Sequence, residues 1–426
     1  MPFYTPAISQ RLTGVLSNMR ILIAHNDYGS FSGEEAAVEG IAAVLSTHGH
    51  DVSWLRRTSA HIGSSGLNKA RAFFSGIYSP AARRDIEGIL DAQEFDIVQV
   101  QNLYPFLSPS ILSACRQRGV PVVMRCPNYR IFCPSGLHLR RGQVCEACLG
   151  GLKELNCVIH NCESDLPKSF GYAIRNAYAR STGMIRDNVS IFVVLSEFQK
   201  LRFVAGGLPE ERIAVLHNVS RPRSTRAAAN NAGEYVAFAG RLSAEKGITD
   251  LLEAARRLPN VPFRIAGRSE ALPGIREKLS PNVRLVGFLS GAELDEFVAG
   301  CRIFVSPSRW FEGFPNSIAL AMAHARPVIA GGIGAVPEIV DEGQTGLLAE
   351  PGNAVDLSNK IRYLWQRPGL CKDMGLQGEK KAGRLYSEEA VYRRLIEIYK
   401  RAILTLRDGP DTPVAAGSPT THEKDA

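Results

Sequence analysis

Residues 302–330 read RIFVSPSRWFEGFPNSIALAMAHARPVIA. The first five residues are rich in β-branched and aromatic side chains, the pattern of a short buried strand. A loop follows with Gly313 and Pro315 in it, and from Asn316 an Ala-rich run reads as a helix. "RPVIA" then reads as a second strand. Strand, helix, strand in so few residues is a parallel pair with its crossover. The same alternation runs outward on both sides. "EYVAFAGRL", "GITDLLEAARRL", "VPFRIAG", "VRLVGFL" and "GAELDEFVAGC" come before it, and "GLLAE" comes after. In the N-terminal half, "MRILIAH", "DVSWL", "FDIVQVQN", "VPVVMRC", "IFVVLS" and "IAVLHNV" read as strands. "GEEAAVEGIAAVLSTHGH" and "PSILSACRQRG" read as helices closed by Gly49 and Gly119. The expected fold is α/β, with two doubly wound parallel-sheet domains facing each other across a cleft.

The expected division is a loose N-terminal extension (1–18), a first domain (19–219) and a linker without large apolar residues (220–233). A second domain (234–386), a last helix (387–407) and a polar, Pro-rich tail (408–426) complete it. Of the 426 residues, 45 % are apolar, enough for two full cores. No run of 18 apolar residues occurs and the N-terminus has no signal-peptide core, so the expected location is the cytoplasm. The net charge of +8 is shared evenly by the two halves, which argues against a nucleic-acid-binding face. It is compatible with weak attraction to anionic lipid, and so with peripheral contact at the inner membrane face, or to phosphorylated ligands.

Ligands in doubly wound sheets sit outside the carboxyl ends of the strands, so the loops there carry the chemistry. Three such loops in the second half combine glycine with charge or a helix start. In "AGRLSAEKG", Arg241 follows Gly240 and Lys246 comes five residues later, two cations suited to a diphosphate. In "IAGRSE", Gly267 permits close approach of a ligand to backbone. At the third, the helix opens near Asn316 and Ser317, whose amides point outward with the helix dipole. Each feature alone is an ordinary turn, and Glu312 alone is an ordinary turn carboxylate. Together they point to a nucleoside-diphosphate site.

"FAGRLSAEKG", "SPSRWFEGFPNSIALAMA", "RPVIAGGIGAVPEIV" and "GQTGLLAEPGNAVDL" resemble glycosyltransferase family 4, retaining enzymes of the glycosyltransferase-B fold, in which two Rossmann-like domains face each other. The resemblance is dense over residues 235–357 and thinner in "GEEAAVEGIAAVLSTHGHDV" and "NYRIFCPSG". It implies that the chain moves a sugar from a nucleoside-diphosphate donor to a glycan or lipid-linked acceptor of surface polysaccharide synthesis, without a catalytic cofactor. It implies that Arg241 and Lys246 neutralise the departing diphosphate and that Glu312 serves the donor sugar. Phe314, Asn316 and Ser317 then line sugar and phosphates, Glu338 orients the next strand-end loop, and Gly33 approaches the donor from the first domain. Two positions depart from the family pattern. Leu320 stands where a second Glu usually holds the ribose hydroxyls, and Pro127 stands where relatives commonly carry His. These departures favour a second reading, a glycosyltransferase-like partner or nucleotide-sugar-binding protein that has lost turnover. An epimerase on the same fold is a third.

Arg125, Asn128, Tyr129 and Arg130 follow a first-domain strand and are candidates for the acceptor side, or for packing of the insert that begins there. That insert, residues 126–162, is rich in cysteine. Cys133, Cys145, Cys148 and Cys162 have a spacing close to that of structural zinc sites, with Cys157 a competing ligand. The alternative is a set of buried thiols.

Overall fold

The computed structural model describes residues 18–27, 33–59, 73–220, 233–268 and 274–407. The expected extension up to residue 17, most of the linker (221–232) and the tail from 408 lie outside the described residues. So do residues 28–32 of the loop ahead of Gly33.

Two six-stranded parallel sheets form the frame. The first contains β1 (Arg20–Asp27), β2 (Asp51–Thr58), β3 (Ile97–Asn102), β4 (Val122–Arg125), β7 (Ile191–Val194) and β8 (Ile213–Val215), in the order β2-β1-β3-β4-β7-β8. A small antiparallel hairpin, β5 (Leu139–Arg140) and β6 (Gln143–Val144), lies in the cysteine-rich insert. The second sheet contains β9 (Val236–Ala239), β10 (Phe263–Ala266), β11 (Val283–Gly287), β12 (Ile303–Ser306), β13 (Val328–Gly331) and β14 (Gly346–Ala349). Its order is β11-β10-β9-β12-β13-β14. The central strands are mostly apolar because helices cover both faces, whereas the edge strands β2 and β11 carry charge and are only partly buried. Ile21, Ile23, Val98, Val193, Ile303 and Val305 are all fully buried. Each such side chain contributes about 1.5–3 kcal/mol relative to exposure.

The first sheet is covered by α1 (Gly33–Thr47), α2 (Pro80–Ala92), α3 (Ser110–Gln117) and α6 (Glu197–Ala205). The insert adds α4 (Asn156–Ile159) and leads into α5 (Leu166–Ser181). The second sheet is covered by α7 (Ile248–Arg256), α8 (Gly291–Ala299), α9 (Asn316–Ala323), α10 (Val336–Ile339), α11 (Ala354–Trp365) and α12 (Pro368–Leu385). The last helix, α13 (Glu388–Arg407), starts at Ser387, whose hydroxyl accepts from the Ala390 amide at 3.3 Å.

Helix α13 does not pack on the second sheet that precedes it in sequence. Its Leu395, Ile398, Tyr399 and Ala402 are buried with Ile21, Val123 and Ile191 of the first sheet. The Tyr399 hydroxyl donates to Gln99 Oε1 at 2.5 Å. The chain therefore passes between the domains twice. The two passages touch where the Ser220 amide donates to the Tyr386 carbonyl at 2.8 Å.

Candidate active site

The strand order of the second sheet reverses between β9 and β12, so the loops after these two strands leave in opposite directions and open a crevice. Lys246 follows β9 and Glu312 follows β12. The Lys246 ammonium lies 2.5 Å from Glu312 Oε1, and the Ser308 hydroxyl donates to the same oxygen at 2.7 Å. Glu312 is 5 % exposed. Burial pushes its carboxyl up, but the Lys246 charge and the hydrogen bonds from Lys246 and Ser308 outweigh this and hold it below the usual carboxylate value. The Glu312 carboxylate is therefore ionised at neutral pH and anchors Lys246 beside the crevice.

Glycines bring the loops together. A Cβ on Gly247 would stand 1.9 Å from the Pro307 carbonyl oxygen, and its φ of 71° is left-handed, so the loop after β9 presses on the loop after β12. A Cβ on Gly267 would stand 2.0 Å from the Gly240 carbonyl oxygen. Gly267 and Gly240 thus have a packing reason to be paired, beside the donor role expected of them. Arg241 is 62 % exposed at its side chain and pairs with Glu245 at 3.2 Å.

Helix α9 opens on Asn316 with Pro315 extended before it and no side-chain cap. The amides of its first turn, those of Asn316 and Ser317 among them, lead out of the helix beside this crevice. Across the cleft, a Cβ on Gly33 at the start of α1 would be 3.6 Å from Asn316 Nδ2. Asn316 Oδ1 accepts from Asn218 Nδ2 at 2.7 Å, and Asn218 Oδ1 accepts from Arg125 Nη2 at 2.5 Å. A chain of hydrogen bonds thus joins the tip of α9 to the end of β4 in the other domain. Phe314 is buried between the rings of His217 and Tyr386, with centroids 5.4 and 5.1 Å away, so its side chain is a seam between domains. Leu320 is half-buried and packs on the second-domain core. Glu338 also spans the domains. Its carboxylate accepts from the Glu197 amide at 2.9 Å and from the Phe198 amide, capping α6 from the other domain.

The acceptor-side candidates separate. Tyr129 is buried against His138 and Phe203 in the first-domain core. Asn128 Oδ1 accepts from the Arg130 amide at 3.0 Å, shaping the turn. Gln199 pins that turn by donating from Nε2 to the Cys126 carbonyl at 2.7 Å. Pro127, on the same turn, presents its carbonyl 3.2 Å from the Cβ position of Gly313. Arg125, 1 % exposed, lines a cleft pocket with Glu34, Gln101, Asn102, Asn128 and Arg130. Burial lowers the Arg125 guanidinium to about 10, which leaves it charged at neutral pH.

The zinc expectation is not supported. All nine cysteines are free thiols, and among the described residues no three cysteine sulfurs lie within 4.8 Å of one another. Cys133 turns toward the Ser135 hydroxyl at 3.2 Å, while Cys148 and Cys157 are buried against Ala173 with Cys162 beside them. Burial, with a smaller contribution from the neighbouring cysteines, pushes the Cys148 thiol up to about 12 and also raises Cys157, and burial raises Cys162. Cys133, Cys145 and Cys162 nevertheless lie near enough to act electrostatically on Cys148, so the thiols of the insert share one neighbourhood without three sulfurs meeting within 4.8 Å.

The residues the sequence reading missed lie at strand ends of the first domain. Asn218, just beyond β8 in "LHNVS", is the central link across the cleft, and a polar residue at a carboxyl strand end is the signal that marked it. His25, Asp27 and Glu35 bring one ligand atom each within 4.8 Å of the others, at the end of β1 and the start of α1. They are the one such trio among the described residues. His25 Nε2 is 3.3 Å from Asp27 Oδ1.

Residues 233–367 match the family model described as Glycosyl transferases group 1. The chain is 32 % identical over 167 residues to an uncharacterized glycosyltransferase of Methanocaldococcus jannaschii, covering 38 % of this chain and 47 % of that protein. It is 24 % identical over 228 residues to an amylovoran biosynthesis glycosyltransferase of Erwinia amylovora, covering 50 % of this chain and 56 % of that one. The match thus spans about half the length of these curated relatives. Over 90 % of this chain and 99 % of the other, the fold superimposes on Anabaena HepE in complex with UDP and glucose, with a TM-score of 0.62 at 17 % identity.

Proposed function

From the match of residues 233–367 to the model of group 1 glycosyl transferases, we propose that the whole chain transfers a sugar from a nucleoside-diphosphate donor to a glycan or lipid-linked acceptor, with retention at the anomeric carbon. One observation carries this reading: the buried Lys246–Glu312 ion pair at the strand-order reversal of the second sheet, beside the open end of α9. The diphosphate sits between Lys246, Arg241 and the amides of α9. These positive groups act on the charge that develops as the sugar–phosphate bond breaks. Glu312 accepts from donor sugar hydroxyls with its second oxygen while Oε1 holds Lys246 in place. The acceptor approaches from the first-domain loops that close on α9. At the cleft-facing turn, Pro127 has no group to take the acceptor proton, so the departing diphosphate is the base at hand.

The similarity to an amylovoran biosynthesis glycosyltransferase supports a surface polysaccharide product. No helix among the described residues is long and apolar enough to cross a membrane. Reaching a lipid-linked acceptor would then use exposed apolar side chains of the insert and of α5, among them Leu155, Ile159, Leu166 and Phe170, for peripheral contact. Leu320 and Pro127 favour a second reading, a donor-binding protein without turnover. Calorimetry with a panel of nucleoside diphosphates and their sugars, followed by mass spectrometry and NMR of the products, separates the two. Binding with a new product that keeps the donor's anomeric configuration supports retaining transfer, and binding without product supports the second reading. Absence of any nucleotide binding overturns both.

A further inference from the structure

The sheet of the first domain reverses its order between β1 and β3, and the pocket at the end of β3 and β4 lies next to that reversal. In the register that pairs Val100 with Met124, the next residues are Gln101 and Arg125, which share a sheet face. Gln101 is 2 % exposed and Arg125 1 %. Among the described residues, both amide atoms of Gln101 and both Nε and Nη1 of Arg125 have no hydrogen-bond partner. Buried polar atoms are rarely left so, and four on two adjacent side chains lining one pocket mark a place where a ligand completes the bonding. The remaining Arg125 nitrogen, Nη2, is fixed by Asn218, which in turn holds Asn316 at the tip of α9. The pocket is therefore tied to the donor side.

We propose that this pocket receives the carboxylate of an acidic sugar in the acceptor, with Arg125 supplying charge and donors and Gln101 a further donor. The proposal rests on the glycosyltransferase reading above. The pocket volume of about 30 Å3 admits one small functional group and not a sugar ring. Arg125 is its buried cation, and Glu34 lines the same pocket. With the Arg130 guanidinium also on the rim, two cations and one carboxylate leave a net charge of one, which matches a monoanion, whereas a phosphate monoester carries about −1.5 to −2 near neutral pH. The Gln101 carbonyl oxygen is left for an adjacent sugar hydroxyl.

The test is binding of methyl glycosides of glucuronic, galacturonic and mannuronic acid to the full chain, against the methyl glycosides of glucose, galactose and mannose. It is read by saturation-transfer NMR and competition, with and without UDP. The expected result is that at least one uronoside binds about tenfold or more tighter than its neutral parent. Arg125→Met should abolish that preference and Gln101→Leu should reduce it. Thermal melts establish that each variant is folded, and Gln101→Leu keeps the test open should Arg125→Met fail to fold. Equal binding of acidic and neutral sugars, or a preference that both variants retain, overturns the proposal. So does tighter binding of methyl glucoside 6-phosphate than of every uronoside. UDP is titrated separately, so loss of the donor reading shows as absent UDP binding in the wild type while the uronoside comparison still reads the pocket.

Discussion

At the scale of single residues, Lys246 and Glu312 depend on each other. Lys246→Met leaves a buried carboxylate without its cation, and breaking such a pair costs about 3–5 kcal/mol. Chemical denaturation should show a loss of that order, together with at least a tenfold weaker nucleotide complex by calorimetry. Leu320 offers a test in the opposite direction. It is half-buried, one turn beyond Asn316 on α9. Leu320→Glu should strengthen donor binding by roughly one to two decades if a carboxylate there reaches the ribose hydroxyls. Unchanged affinity would show that the packed position does not face the nucleoside. His138 gives a pH test. It is fully buried beside Tyr129, and burial lowers its pKa from 6.5 to about 4. Between those values the unfolded chain binds more protons than the folded one. Stability is therefore complete above pH 6.5, falls as pH drops toward 4 by up to about 3 kcal/mol, and falls no further below that from this group. Urea melts across that range should show the decline in the wild type and a shallower one in His138→Leu.

At the scale of elements, Glu338 links the second domain to the amino end of α6 in the first through two amide hydrogen bonds. Glu338→Ala removes both acceptors, at a cost of about 1–3 kcal/mol. Small-angle scattering should then show a larger radius of gyration without nucleotide, reversed or reduced when nucleotide binds. If the dimensions do not change, the link is not what holds the domains together. This link was invisible in the sequence, because a capping residue donated from another domain leaves no local pattern. The central strands were legible because burial on both faces writes them as mostly apolar runs. Helix α12 was not, since its segment contains Gly369, Gly375, Gly378 and Gly383 and propensity argues against a helix there. Tertiary contact overrides propensity: a Cβ on Gly375 would stand 2.0 Å from the Ala325 carbonyl oxygen, so the glycine lets α12 lie on the end of α9. The cysteine spacing was legible only as a shared neighbourhood of thiols. Separation along the chain limits which thiols can meet, but apolar burial of Cys148 and Cys157 decided where they went.

At the scale of the whole molecule, the two-domain division and the location of the basic loops were readable from alternation and from strand-end glycines. The return of α13 to the first domain was not, because its apolar face would fit either sheet equally well. Its removal should be severe. Ending the chain after Tyr386 would uncover Ile21, Ile23, Val123 and Ile191, and we expect a truncated protein that aggregates or melts well below the full chain by calorimetry, despite an untouched second sheet. A truncated chain as stable as the whole would show that α13 is not integral to the first-domain core.

The double passage between domains also limits how they can move. A single covalent tether would let one lobe twist and tumble about the other. Here the strands of chain near Ser220 and Tyr386 run side by side and are hydrogen-bonded, like two leaves on one pin. Lobes joined at that contact part most easily at the end far from it, and that is the side on which the mouth would widen for a substrate.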